Sequence, residues 1–519
     1  MTEIVASSVD TLKLVRPEPT IARVNTGVAA FVGRALKGPL NQPTLLHSFE
    51  DYQRIFGGLW QPSTLSYAIE QFFENGGHEC TVVRVANGAR APTVPLAAGT
   101  ETLLLAGRDP GTREFLRAAV DYDGIAAHDT DRFNLTVQRV RAPGSEFVED
   151  QEIFRRVSIL EGAERSVSEV LAQSRLVRVS GALPRRRPDR SGGAGSVVGY
   201  VGSRADGDDG DALTSYDIIG DIASGSGLFA LRGAAPFNFL CIPPLSRELD
   251  VAVPALLVAL RICRERQAML IVDPPAAWTD AAVALERLRS WPLYSEDVLM
   301  FYPRVLALDR KLGRPEIFGS AAAAAGLLAR SDQRCPVWSA AECDQGVLRP
   351  SLRGAVSVNE VERARLAQHG INVLRSARAE PRAQLSLRTL IPEGAARGEW
   401  RYLAARRLAL FVTASILRGT RWALFMQSGA PLWARLRAQV TAFFEALEQE
   451  GAFVGRRAEE NYFVVCDERL NAGAGALQLV VGFAVSRPGQ FQSCLITHAV
   501  AGSSVRTVSV NQFALPLRS

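Results

Sequence analysis

Apolar positions change their period along this 519-residue chain, and the clearest helical period lies between Glu399 and Asp467. Trp400, Ala404, Leu408, Phe411, Val412 and Ile416 recur at three- and four-residue spacing, the pattern of a helix with one buried face. Gly419 is the expected stop, because glycine takes the positive φ that a helix end needs. Arg421 to Phe425 reads as a short strand. Ser428, Gly429 and Pro431 restart a helix, with Trp433, Leu436, Val440, Phe443, Phe444 and Leu447 on its buried side. Gly451 ends it, and Tyr462 to Cys466 is the next strand.

Elsewhere the periods alternate. Residues 1 to 20 show none, and Pro17 and Pro19 stiffen their end. From Asn25 a strand (Val28 to Gly33), a Gly-Pro turn and a second strand precede a helix opened by Ser48, with Asp51 three residues on as in a capping box. A further helix, Leu65 to Glu74, places Leu65, Ile69, Phe72 and Phe73 on one face, and Cys80 to Val85 returns as a strand. Residues 90 to 230 are patterned more thinly, with short strands such as Phe133 to Val140 and Leu176 to Val179. Pro184 to Pro188 and Gly202 to Asp211 are loops. From Asn238, strands (FNFLCI, AMLIVD, Val298 to Tyr302) alternate with helices (Val251 to Arg266, Asp280 to Ser290). Steps of roughly thirty residues are those of βαβ units and a parallel sheet. Leu477 to Val485 and Phe491 to Val500 are strands around a Pro488-Gly489 turn, and Val505, Thr507, Val508 and Val510 extend the β-prone tail.

Composition changes this picture little. The length suits two to four domains of a soluble globular protein, and a net charge of +5 does not announce a nucleic-acid binder. Of 59 basic side chains only Lys13, Lys37 and Lys311 are lysine, so positive contacts are forked guanidinium contacts suited to carboxylates. Arg185 to Arg190 lies between prolines without interleaved aromatics, which favours a solvated loop over a nucleic-acid patch. Cys80, Cys241, Cys263, Cys335, Cys343, Cys466 and Cys494 form no CxxC pair and read as buried free thiols of a reducing compartment. No signal peptide opens the chain and no apolar run approaches membrane-spanning length, so synthesis in the cytoplasm and no membrane insertion are expected.

Catalytic chemistry finds no complete set. Asp273 ends a strand where α/β enzymes place carboxylates. None of the five histidines follows it in a matching motif, and Ser320 lacks a nucleophile elbow. No His/Cys/Asp cluster has metal-ligand spacing, and glycine-rich Gly192 to Ser203 lacks the Lys-Ser/Thr of a phosphate loop. The chain is read as a non-enzyme without cofactor or metal.

The wording RRLALFV, GTRWALF, PLWARLR and ENYFVVCD resembles the C-terminal domain of contractile tail sheath proteins, found in bacteriophage tails and related injection systems. FVGRALKGP, FGGLW, QFFENGG and VVRV follow that family's N-terminal pattern, and FGSAAAAAGLLARSDQRCPVWSA, HGINVLR and VGFAVSRPGQFQSCLITH continue it. The usual Pro-Gly-Val opening is missing. The resemblance implies an α/β multi-domain protein: a parallel α/β core of subtilisin-like fold without a catalytic triad, and a C-terminal α/β domain with two long helices. The sheet of that domain is completed by strands from neighbouring subunits. The implied divisions are an arm (1–24), a core part (25–90), a surface-exposed, β-rich insertion (91–232), the parallel domain (233–395), the C-terminal domain (396–500) and an extension (501–519).

The implied role is a structural subunit whose hexameric rings stack around an inner tube, between baseplate and terminal cap proteins, and contract to drive the tube through a target envelope. Competing readings are a non-contractile baseplate protein of the same fold and a subtilisin-like hydrolase. Arg435 and Arg437, off the buried stripe of their helix, are candidate contacts to an acidic tube, with Arg456 and Arg457 next. Phe491, Leu495, Ile496, Val508 and Val510 are the candidate inter-subunit strand residues.

Overall fold

The computed structural model describes residues 20–192, 199–339, 347–375, 386–392, 394, 398–472, 475–500 and 502–508. They fall into two compact units, one within Asn25–Ala404 and the other made of residues 20–24 with the described residues from Ala405 onward.

In the larger unit, strands far apart in sequence join one seven-stranded sheet. Its order is Asn372–Val373, Val298–Tyr302, Met269–Val272, Phe239–Cys241, Ala29–Gly33, Cys80–Arg84, Thr44–Leu46. Every neighbouring pair is parallel except the last. All residues of AAFVG, CTVVR, FLC, MLIV and VLMFY are buried, as continuous apolar runs must be in a sheet covered on both faces. Val253–Arg266, Ala281–Leu288 and Glu360–Gln368 share a core with Ala30, Val32, Leu240, Leu270 and Met300. Phe31 points the other way, edge-on to Phe72 with centroids 5.5 Å apart. On that side Thr64–Glu74 and Ala321–Asp332 meet so closely that a Cβ on Gly326 would stand 2.2 Å from the Phe72 carbonyl oxygen, which is why the second helix opens with five alanines.

Local signals explain the element ends. The Ser48 side chain accepts from the Asp51 amide to start Phe49–Phe56, and Asp280 does the same for Val283 ahead of Ala281–Leu288; both are N-caps. Arg84, 1% exposed, donates to the carbonyls of Ala35, Gly38 and Pro110 and so ties three loops to its strand. Between residues 93 and 202 lie a three-stranded and a four-stranded sheet. All their pairings are antiparallel, and they close on a core of their own around Phe133, Leu135 and Val137. Within this stretch the Arg187 guanidinium lies 3.7 Å from the Tyr122 ring centroid and donates to the Asp129 and Arg132 carbonyls. It braces a loop that the sequence suggested was simply solvated.

The smaller unit holds most of Leu403–Gly419, the helix Ala430–Gln449 and an antiparallel sheet ordered Tyr462–Val465, Leu477–Ala484, Phe491–Ala499, Gly502–Val508. Phe443 joins the helices through Phe411, and Phe444 stacks on Tyr462 at 4.9 Å to join helix to sheet.

Several sequence expectations are corrected here. Arg421–Phe425 is a 3-10 helix, not a strand: five residues between two helix ends have no neighbouring strand to pair with. Gly419 still lies inside its helix. A Cβ there would come within 2.9 Å of Ile21, so the glycine serves close packing and not a positive φ. Leu432 takes the buried place expected for Trp433, which is half-buried. Leu403–Phe425 is long and apolar enough to span a membrane, with a mean hydropathy of 1.2 over its best window. It was not expected to be; 56% of that window is buried within the protein, as in a core helix. Finally, Cys335 is disulfide-bonded and not the free thiol expected, and Cys343 lies outside the described residues. Cys80, Cys241, Cys263, Cys466 and Cys494 are free and buried, and burial raises each thiol above its usual range.

Candidate functional site

The carboxyl ends of the parallel strands are where an α/β sheet would hold a ligand, and Asp273 stands there. One carboxylate oxygen accepts from the Ala321 amide at 2.7 Å, and the Ser320 amide also bonds to the group. Desolvation pushes the carboxyl up to about 6 against these bonds and the Arg304 charge. Asp273 is thereby committed to the start of the helix Ala321–Asp332. The Ser320 hydroxyl, fully buried, donates to the Phe301 carbonyl at 2.6 Å and is no free nucleophile. The residues around Asp273, including Cys241, Arg247 and Arg304, leave a cavity of about 20 Å³, room for one water. Among the described residues no group of three His, Cys, Asp or Glu side chains is placed to hold a metal ion.

Beside it lies a polar clamp with no sequence signal, because its members are scattered. Asp309, side chain fully buried, accepts from Gln61 at 2.9 Å, Tyr67 at 3.1 Å and the Lys311 amide at 2.8 Å, and pairs with Arg247. These bonds hold the carboxyl below its ordinary range despite burial, while burial and Asp309 push Tyr67 up to about 12. Every acceptor position is occupied, so the clamp fastens the strands Val305–Asp309 and Arg314–Phe318.

Among the described residues, the edges of the smaller unit's sheet are Tyr462–Val465 and Gly502–Val508, and a strand edge with unpaired backbone groups invites another chain. Phe491, Leu495 and Ile496 are not on an edge, which corrects their expected role. Leu495 pairs with Val480 on one side and Arg506 on the other, Ile496 with Leu479 and Val505. Phe491 opens the same strand opposite Ala484. Val508 ends the outer strand, opposite Ser493; Val510 lies outside the described residues. The outer strand is also held by His498, 1% exposed, whose Nε2 is 2.8 Å from Thr420 Oγ1 and Nδ1 2.8 Å from Ser503 Oγ. The Thr420 hydroxyl proton goes to the Ile416 carbonyl at 2.6 Å. Thr420 Oγ1 therefore accepts from Nε2–H, and the bare Nδ1 accepts from Ser503. Burial and Arg421 lower this imidazole to about 4, so it is neutral at pH 7.

Arg435 and Arg437 are half-buried and engaged. Arg435 lies 4.6 Å from the Trp422 ring centroid, and Arg437 donates to the Cys466 carbonyl. Arg456 and Arg457 are exposed. Residues 20–24 also pack in this unit: Arg23 forks onto Glu450 at 2.8 and 2.5 Å, and the Val24 amide reaches Ser415 at 3.3 Å.

These units together define a mixed α/β protein of several sheets, and that architecture is the one found in contractile tail sheath proteins. The sheath tail protein Lin1278 from Listeria innocua superposes with a TM-score of 0.58 at 12% identity, over 94% of this chain and 96% of that one. The sheath complex of the PVC extracellular contractile injection system, in its contracted state, gives 0.50 at 16% identity, over 95% and 97%. No family model matches the sequence, and no curated protein matches it.

Proposed function

We propose that the chain is a structural subunit of a contractile sheath, polymerising around an inner tube and contracting to drive the tube through a target envelope. The observation that carries this reading is the likeness to sheath proteins over almost the whole length of both chains. The open strand edges support it, since a subunit of this kind needs backbone groups left for neighbours. The chain is made in the bacterial cytoplasm, forms hexameric rings, and meets tube, baseplate and cap proteins without binding nucleic acid. Its core is the parallel sheet, subtilisin-like in fold without the triad; the stretch 91–232 is an outer insertion, and 396–500 faces the tube. Energy for contraction comes from subunit contacts that improve between two states. Arg456 and Arg457, exposed, are the first candidates for an acidic tube surface; Arg435 and Arg437 contribute only if their internal partners release them.

Electron microscopy of the full-length chain, alone and with its tube protein, tests this. Rings or helical sheaths are expected. A monodisperse monomer at every concentration, with and without tube, overturns the reading.

A further inference from the structure

The strands Val305–Asp309 and Arg314–Phe318 form a hairpin with two unlike faces. Leu306 stands opposite Ile317 and Leu308 opposite Pro315, and the two-residue period puts all four on one face. The other face is fixed by buried Val305, Asp309 and Phe318, with Asp309 in the clamp described above. The first face is left in water: Leu308 is 58% and Ile317 50% exposed, and Leu312 at the tip 45%. Arg310, Lys311 and Arg314 surround that tip. Arg310 and Arg314 reach Glu70 and Glu316, yet their side chains stay 66% and 70% exposed. The result is a rigid, apolar, cation-rimmed surface, held in place before any partner arrives.

A surface of opposite character exists on the same unit. Between Arg204 and Arg232 the chain carries six aspartates and no basic residue. Asp208 is paired with Arg90, and Asp206 and Asp209 accept from Thr93 and Thr112, but Asp217 and Asp221 directly adjoin Tyr216 (84% exposed) and Ile222 (59%) in the chain. The short helix Ser215–Ile219 that bears Tyr216 is fixed by buried Ile218 and by the reciprocal Thr214–Asp217 cap. An exposed tyrosine on a rigid element is the kind of residue that anchors an interface.

We propose that the hairpin face of one copy docks on the Tyr216–Ile222 face of a second copy, Leu308 and Ile317 against the aromatic ring, the basic tip against the aspartates. This rests on the reading of the chain as a self-assembling subunit. The two surfaces differ, so the contact is heterologous, and repetition of it generates a ring or a helix. Opposite charges favour this pairing over hairpin on hairpin, where cations would meet cations.

Complementation tests it. Full-length Leu308→Asp and Tyr216→Asp chains, each carrying two alternative tags, are assayed for capture of one tag by the other. Both positions are exposed, and unchanged circular dichroism and melting serve as the folding check, with Leu308→Ser as a milder second variant. Each variant alone is expected to lose about tenfold or more of wild-type self-capture. Mixing the two restores capture, because one intact pair of surfaces remains, but growth stops at pairs. Wild-type assembly by Leu308→Asp, or a mixture no better than its components, overturns the contact alone. A wild-type chain that never self-associates overturns the sheath reading itself.

Discussion

Asp273→Asn is the most informative single change in the larger unit. The displacement of the carboxyl from 3.8 to about 6 by burial corresponds to ~3 kcal/mol of ionisation cost carried by the folded state at pH 7. The sign follows from proton counting: between these two values the folded chain holds more protons than the unfolded one. Stability from this group is therefore full below about 3.8 and lost as pH rises through about 6. Asparagine keeps an oxygen for the Ala321 amide and removes the charge, but sets an NH₂ against the Ser320 amide, a loss of about 1–3 kcal/mol. The two effects nearly cancel at pH 7, where the urea midpoint is expected close to wild type. They do not cancel at pH 5, where wild type regains about half of the ionisation cost and the variant regains nothing. The stability difference between the two proteins is thus expected to move by about 1.4 kcal/mol from pH 7.5 to pH 5, in favour of wild type. A difference constant with pH refutes the desolvation argument. Sheath assembly by the variant is expected to be intact, and a peptidase activity abolished by it would sink the structural role of Asp273.

Protonating His498 works in the opposite direction: its folded value near 4 lies below the usual 6.5, so its contribution is present above 6.5 and lost as pH falls toward 4. His498→Gln should flatten that acid-side loss in a urea titration. Arg437→Glu should lower the melting temperature, since it strips the donor from the Cys466 carbonyl at a cost of about 1–3 kcal/mol. Arg456→Glu with Arg457→Glu should leave melting unchanged and lower the fraction of extended sheath on tubes seen by microscopy. Ending the chain after Ala499 should give soluble subunits with impaired assembly, whereas ending it before Phe491 should give insoluble chain, because Leu495 and Ile496 are core; solubility after lysis separates the two.

Elements whose ends are set by local chemistry were legible in the sequence. Ser48 with Asp51, Pro431 and Gly451 each act within a turn of their own position. The parallel strands were legible for a related reason: a strand buried on both faces has no polar alternation to hide it. What failed depended on partners distant in sequence. WALF within Arg421–Phe425 has strand-like residues, yet its backbone found no ladder. Phe491–Ala499 looks like a final strand until Gly502–Val508 is laid beside it, and nothing in either segment says which is outermost. Arg435 and Arg437 do lie off the apolar stripe, but being off the stripe does not make a side chain free when Trp422 and the Cys466 carbonyl lie within reach. Asp309 carries no motif because its partners come from positions 61, 67 and 247.

The order of the strands has a consequence for how the protein is made. Ala29–Gly33 is the fifth strand of its sheet and one neighbour is Phe239–Cys241, which leaves the ribosome some 210 residues later. At 5–20 residues per second that is a delay of roughly 10–40 s, during which the antiparallel sheets between residues 93 and 202 can close on their own core. Arg23 waits longer still, for Glu450. A half-made chain therefore has neither its central sheet nor the unit that carries the open strand edges. If those edges are where copies meet, as proposed, synthesis withholds them until it is almost finished, and nascent chains on one messenger would have no such edge to share.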